Sequence, residues 1–156
     1  MPVVECITLF GHKKLVQEKE LILYPAVYGL IVSNDKILLL KMRHTGKFHL
    51  PGGGINLGER MQDALRREVK EETGLEIEIG KLVDFNELFF YYDPSGKAYH
   101  GLFFYYSCRP KSLELLDDDQ ITDESAEKPR WVAIQELQAQ GFQSHGARIL
   151  ELLQPQ

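Results

Sequence analysis

The chain has 156 residues, 44% hydrophobic and 26% charged, with a formal net charge of −5. That size and balance suit one soluble globular domain over residues 1–156 and exclude a disordered chain. The acidic excess argues against DNA as a partner, because no basic surplus exists to displace phosphate counterions. Apolar runs such as residues 37–40 fall far short of the roughly 20 residues that cross a bilayer, so no membrane is expected. Residues 3–10 and 15–20 read as strands around a turn at Gly11-His12-Lys13. Cys6 and Cys108 stand outside any CxxC pair and read as buried, reduced thiols. With no basic-then-apolar leader, they point to a cytoplasmic protein.

Residues 26–33 and 36–42 form a predicted β-hairpin turning at Asn34-Asp35. Both runs are almost unbroken in apolar residues, the pattern of strands covered on two faces. A glycine-rich loop follows, Pro51-Gly52-Gly53-Gly54, and then a helix over 59–73 that Gly74 stops. Residues 76–78 and 81–92 read as strands and Asp93-Pro94-Ser95-Gly96 as a turn. Residues 98–108 form the return strand, bringing aromatic residues 89–92 alongside 103–106. The acidic stretch 117–127 is expected to be a solvated loop. It fails as a calcium loop, since Thr122 stands where an EF-hand places Gly and Lys128 where it places Glu. A strand at 131–133, a helix at 134–140 stopped by Gly141, and a helix at 144–153 with Ser144 as N-cap complete the chain. The alternation predicts an α/β sandwich with a mixed β-sheet.

The helix over 59–73 breaks its own amphipathic pattern. With about 100° per residue, Met61, Ala64, Leu65 and Val69 define a core-facing stripe. Glu68 and Glu72 fall within roughly 20° of Met61, inside that stripe, and Glu71 flanks it. Arg66, Arg67 and Lys70 occupy the opposite, solvated side. Three close carboxylates repel, and burying them without partners is costly. A solvated face is one reading. A divalent cation is the other, with Mg²⁺ the natural choice for hard oxygen ligands that must also admit water and phosphate. The glycines beforehand let backbone approach a ligand closely, and a helix N-terminus attracts phosphate. Arg43, Lys41 and His44 lie on or just after the strand before the loop. They either supplement the cation toward phosphate or form solvated surface.

Gly53, five residues, Glu59, seven residues, then Arg67-Glu68-Val69-Lys70-Glu71-Glu72-Thr73-Gly74-Leu75 resembles the complete Nudix box, matched at nine defining positions. The lead-in Phe48-His49-Leu50-Pro51-Gly52 and the late Trp131-Val132 with Glu136-Leu137 resemble the same family, so the likeness runs over about residues 22–155. The resemblance implies a Nudix-like α/β/α sandwich. It also implies Mg²⁺-assisted (or Mn²⁺-assisted) water attack on a nucleoside diphosphate linked to another moiety. By position, Glu68, Glu71 and Glu72 would hold metal with the Gly52 carbonyl, and Glu68 or Glu71 would take the proton from water. Glu59 and Arg67 would pair to orient them, while Gly53 and Gly74 would be structural. Family members often add a carboxylate from the late loop, for which Glu124 and Glu127 are the candidates.

Substrate choice is less legible. A small nucleotide is expected, foremost a nucleoside triphosphate or a nucleotide sugar. Tyr91 and Tyr92, sixteen and seventeen residues after Leu75, resemble a marker of dinucleoside polyphosphate hydrolases and are candidate base-stacking residues. Pro94 is too distant to match the proline marker of ADP-ribose pyrophosphatases. Capped RNA would ask for a basic surface that the sequence lacks. A non-catalytic nucleotide sensor on the same fold is the alternative of another class, and intact carboxylates argue against it. A homodimer stays open.

Overall fold

The computed structural model describes residues 2–120 and 128–154. The N-terminal hairpin pairs β1 (Val3–Thr8) with β2 (Lys13–Gln17) antiparallel. The expected second strand ends early because residues 18–20 close into a 3₁₀ turn, with the Glu20 carboxylate accepting the Gln17 N–H at 2.8 Å. β3 (Leu21–Ser33) and β4 (Lys36–Lys41) meet through Asn34 and Asp35, at φ 51° and 59°. Two consecutive left-handed residues make the tight hairpin turn whose twist matches the strands.

The glycine run departs from the expected loop. After the short β5 (Phe48–His49), Gly52–Gly54 is strand β6, paired antiparallel with β3 through Tyr28↔Gly52, Val27↔Gly53 and Ala26↔Gly54. α1 (Met61–Thr73) starts two residues later than expected and ends at Gly74, φ 80°. β7 (Ile77–Tyr92) is one long strand instead of two, with its register shifting between Ile79 and Asp84. β8 (Lys97–Pro110) returns beside it. The two aromatic quartets do not face each other. Residues 89–92 pair with 97–100, and Phe103 pairs with Asn86, because the tight turn at 93–96 fixes the register.

After the described chain resumes, β9 (Arg130–Ala133) pairs with β4. The expected helix over 134–140 is two 3₁₀ turns, at 134–136 and 139–141. They are separated because Leu137 and Gln138 are extended. α2 is Gly146–Leu152, with His145 and not Ser144 at its N-cap position.

The sheet runs β2-β1-β7-β8-β3-β4-β5, with β6 on β3 and β9 on β4. Its mixed character comes from two parallel pairings, β1 with β7 and β3 with β8. Strand alternation sends Val27, Ile31 and Leu38 to one core with Ala64, Leu65 and Val69 of α1. Ala26, Leu30, Ile37 and Leu39 go to the other, with Phe142 and Ile149 of the C-terminal segment. The fold is therefore an α/β/α sandwich. The nearly continuous apolar runs of β3 and β4 are explained by cores on both faces.

Candidate active site

Arg67 does not lie on a solvated face. Its side chain is 29% exposed and turns back toward the start of α1. Nε and Nη2 donate to Glu59 Oε2 and Oε1 at 2.9 and 3.0 Å, a two-pronged pair. Nη1 donates to Glu68 Oε1 at 2.9 Å and stands 3.5 Å from Glu71, while Nη2 also reaches the Gly54 carbonyl at 3.1 Å. The guanidinium and the Asn56 N–H hold the Glu59 carboxyl below its usual range, and Glu59 in turn raises the Arg67 pKa. One arginine thus ties the helix to the glycine strand and compensates the carboxylates beside it.

Glu72, 3% exposed, turns inward and accepts the Gly52 N–H at 2.9 Å. Two glycines make this junction possible. Gly52 has φ +144°, and a β-carbon there would sit 2.1 Å from the Val27 carbonyl oxygen. Gly53 leaves room for Glu68, whose carboxyl carbon would lie 2.8 Å from such an atom. The close approach of β6 to β3 therefore requires a missing side chain at Gly52, and that of β6 to Glu68 of α1 requires one at Gly53.

A cavity of about 670 Å³ opens at this junction, with Gly52, Gly53 and Glu72 at its wall. The sheet face supplies aromatic rings. Tyr28 packs on Tyr105 and edge-on to Phe103, and Tyr24 contacts Tyr99 and Phe90. Burial, followed by the charges of Glu68 and Glu72, pushes the Tyr24 hydroxyl to about 12. Burial likewise raises Tyr28 well above its ordinary value. Both stay neutral hydroxyls near the carboxylates. The β1–β2 turn (Leu9, Gly11) and the C-terminal segment (Gln143, His145) complete the lining.

Of the residues singled out in the sequence, Glu59, Arg67, Glu68, Glu71 and Glu72 gather with β6 in one network. Tyr91 and Tyr92 reach the cavity margin. Tyr91 also packs on the cluster of Cys6, Val16 and Ala98, and Lys14 Nζ stands 4.6 Å over its ring. Lys41 and Arg43 do not line the cavity, whereas Met42 and Lys47 do. Glu124 and Glu127 lie outside the described residues. Tyr24, Tyr28, Tyr99 and His145 went unnoticed in the sequence. A period of two marks Tyr99, Phe103 and Tyr105 on one face of β8, but the parallel pairing of β3 with β8 that adds Tyr28 has no local signal.

Among the described residues, no three His, Cys, Asp or Glu side chains converge on a point that would hold a metal ion. The local cause is Arg67, which engages Glu68 and Glu71, together with the Gly52 N–H that engages Glu72. The donor chemistry still fits a hard divalent cation. Glu68 and Glu72 face the backbone of β6, Glu71 stands beside them on Arg67, and the missing Gly53 β-carbon leaves space beside Glu68.

A sequence model of the NUDIX domain matches residues 23–153. An ADP-ribose pyrophosphatase of Methanocaldococcus jannaschii is 42% identical over 44% of this chain and 48% of its own length. The chain thus spans about half of that curated relative. A nucleoside triphosphatase, NudI, of Escherichia fergusonii is 28% identical over 71% of this chain and 86% of its own. The crystal structure of a MutT NUDIX hydrolase from Burkholderia pseudomallei aligns with a TM-score of 0.66 and 25% identity, covering 83% of this chain and 97% of that one. Domain match, shared fold and the glutamate helix docked on a glycine strand agree: the chain belongs to the Nudix hydrolase family.

Proposed function

We propose that the chain is a Mg²⁺-dependent hydrolase, with Mn²⁺ as a substitute. It would cut the pyrophosphate bond of a nucleoside diphosphate linked to another group, foremost a nucleoside triphosphate or a nucleotide sugar. The observation that carries this reading is the junction of Glu72, Gly52 and Gly53 with an aromatic cavity of about 670 Å³. A charged, hard-oxygen end adjoining stacked rings suits a ligand with phosphates at one end and a planar group at the other. Similarity to an ADP-ribose pyrophosphatase and to a nucleoside triphosphatase supports phosphoanhydride chemistry.

In this reading Glu68, Glu71 and Glu72 would hold the cation with the Gly52 carbonyl. When bound, it neutralises phosphate oxygens and makes a water acidic enough for a carboxylate to deprotonate. Glu59 and Arg67 orient the helix carboxylates against β6. Either Glu68 or Glu71 accepts the proton from water. The exposure of Glu71, at 52%, supports it as the one that passes the proton on to solvent. The neutral Tyr24 and Tyr28 rings exclude water from the inner wall.

The test is a substrate panel of nucleoside triphosphates, nucleotide sugars, ADP-ribose and a dinucleoside tetraphosphate. Each is incubated with Mg²⁺ or Mn²⁺ and the products are separated by chromatography. The expected result is metal-dependent release of a nucleoside monophosphate from at least one compound. No turnover of any compound with either cation would overturn the reading.

A further inference from the structure

Residues 2–22 precede the stretch matched to the family domain, yet their turn forms one side of the cavity. Leu9 is held at both backbone groups. Its N–H donates to Asp93 Oδ2 at 2.9 Å, and its carbonyl accepts from Gln143 Nε2 at 2.6 Å. Gln143 is itself fixed, with Oε1 accepting from Thr45 Oγ1 at 2.8 Å and its N–H donating to the Phe48 carbonyl at 2.8 Å. Two segments distant in sequence, at Asp93 and Gln143, thus clasp the turn, and a third, Thr45–Phe48, braces Gln143.

His145 lies beside this clasp and lines the same cavity. Its Nδ1 is buried and has no hydrogen-bond partner among the described residues, a condition that ordinary folds avoid unless a ligand or water completes it. Its backbone is left-handed, at φ 56° and ψ 25°, a region that residues with a β-carbon seldom occupy and that clusters at ligand clamps. Tyr28 abuts Gly52, the Phe103 centroid is 5.6 Å from that of Tyr28, and the His145 centroid is 6.1 Å from that of Phe103. Two ring contacts thus link His145 to the glycine strand along one aromatic wall.

The lining also limits what the aromatic wall accepts. Among the described residues around the cavity, Lys47 is the only lysine or arginine and Glu72 the only carboxylate. A second phosphate chain there would lack compensation, whereas an uncharged planar group would find rings and neutral hydrogen-bonding atoms.

We infer that His145 is the specificity-determining residue of this site, hydrogen-bonding the edge of an uncharged nucleobase held between the aromatic sheet face and the clasped N-terminal turn. Burial lowers its basicity against the opposing pull of Asp84. A neutral imidazole offers one donor and one acceptor, which suits base edges. The inference rests on the nucleotide reading above but not on turnover.

The experiment is metal-free calorimetric titration with AMP, GMP, CMP, UMP and ribose 5-phosphate, alongside melting temperatures. The wild type is expected to rank the four nucleotides. His145→Gly relieves the left-handed backbone, so its melting temperature should hold or rise. Its affinity for the preferred nucleotide should fall roughly tenfold, the loss of about one well-made hydrogen bond. Ribose 5-phosphate should bind as before. His145→Asn tolerates the same backbone and carries an amide, and should recover part of the preference. No base ranking in the wild type, a ranking that survives His145→Gly, or an equal loss for ribose 5-phosphate would each overturn the inference. Base-ranked binding without hydrolysis of any panel compound would instead remove the proposed reaction and leave this assignment standing.

Discussion

A β-carbon built on Gly53 would stand 2.8 Å from the Glu68 carboxyl carbon and 2.9 Å from each of its oxygens. Ordinary contact begins near 3.4 Å, so Gly53→Ala must push the carboxylate outward by about 0.6 Å. The backbone at Gly53 is not left-handed and the clash is with the end of a flexible side chain, so the fold can absorb it. Stability should change by less than about 1 kcal/mol, or roughly 2–4 °C in melting temperature for a chain of this size. Catalytic groups, by contrast, tolerate only about 0.5 Å of displacement, and kcat should fall roughly ten- to a hundredfold. Gly52→Ala is the internal control. There the β-carbon meets the Val27 carbonyl oxygen at 2.1 Å with φ +144°, and rigid backbone cannot give way. That variant should lose more than about 4 kcal/mol and fail to fold well. The assay pairs initial rates on the best panel substrate with thermal melts. A Gly53→Ala enzyme with kcat within twofold of wild type would refute the claim that Glu68 must lie against β6. Its unfolding would refute the claim that the clash is local.

Glu71→Gln should leave the melting temperature unchanged, since the side chain is 52% exposed. Turnover should drop at least about a hundredfold, and retention of most activity would remove Glu71 from the catalytic set. Glu59 has a folded pKa held below its ordinary 4.5 by Arg67. Its stabilising contribution is therefore present above pH 4.5 and is lost as pH falls through the folded value. Urea midpoints should decline on acidification in the wild type and more shallowly in Glu59→Gln, and profiles of the same shape would contradict the linkage. Burial pushes the Cys108 thiol to about 12 and also raises Cys6. A thiol reagent at about pH 8 should label neither in the folded protein and both in urea, so a titrating thiol in the native state counts against this packing.

The parts legible in the sequence share a local origin. The left-handed pair Asn34-Asp35, the stop at Gly74 and the turn at 93–96 each depend on a few adjacent residues, and each is found in the fold. Helical period alone placed Ala64, Leu65, Val69 and Glu72 on the buried side of α1. The same wheel assigned Arg67 to solvent, and there it failed. A long side chain rooted on the outer side can bend back toward the preceding turn when Glu59 and Glu68 await it. The helix expected at 134–140 had adequate propensity, but Leu137 and Gln138 are extended and the segment breaks into two 3₁₀ turns. Propensity is weak beside tertiary packing over so short a stretch.

By itself the sequence determined the family, the carboxylate helix and its glycine partner, because their chemistry is written in residue types at fixed spacing along one stretch of chain. It also determined that β3 and β4 would be covered on both sides, since apolar side chains on each face admit no other stable solution. Only the tertiary structure decided that β3 lies parallel to β8. That pairing joins Tyr28 to Tyr105 and builds the aromatic wall from residues nearly eighty positions apart. It also decided that a turn outside the family domain would bond Gln143 and line one cavity with His145. Such contacts depend on how whole elements dock, and no short window of sequence carries that information.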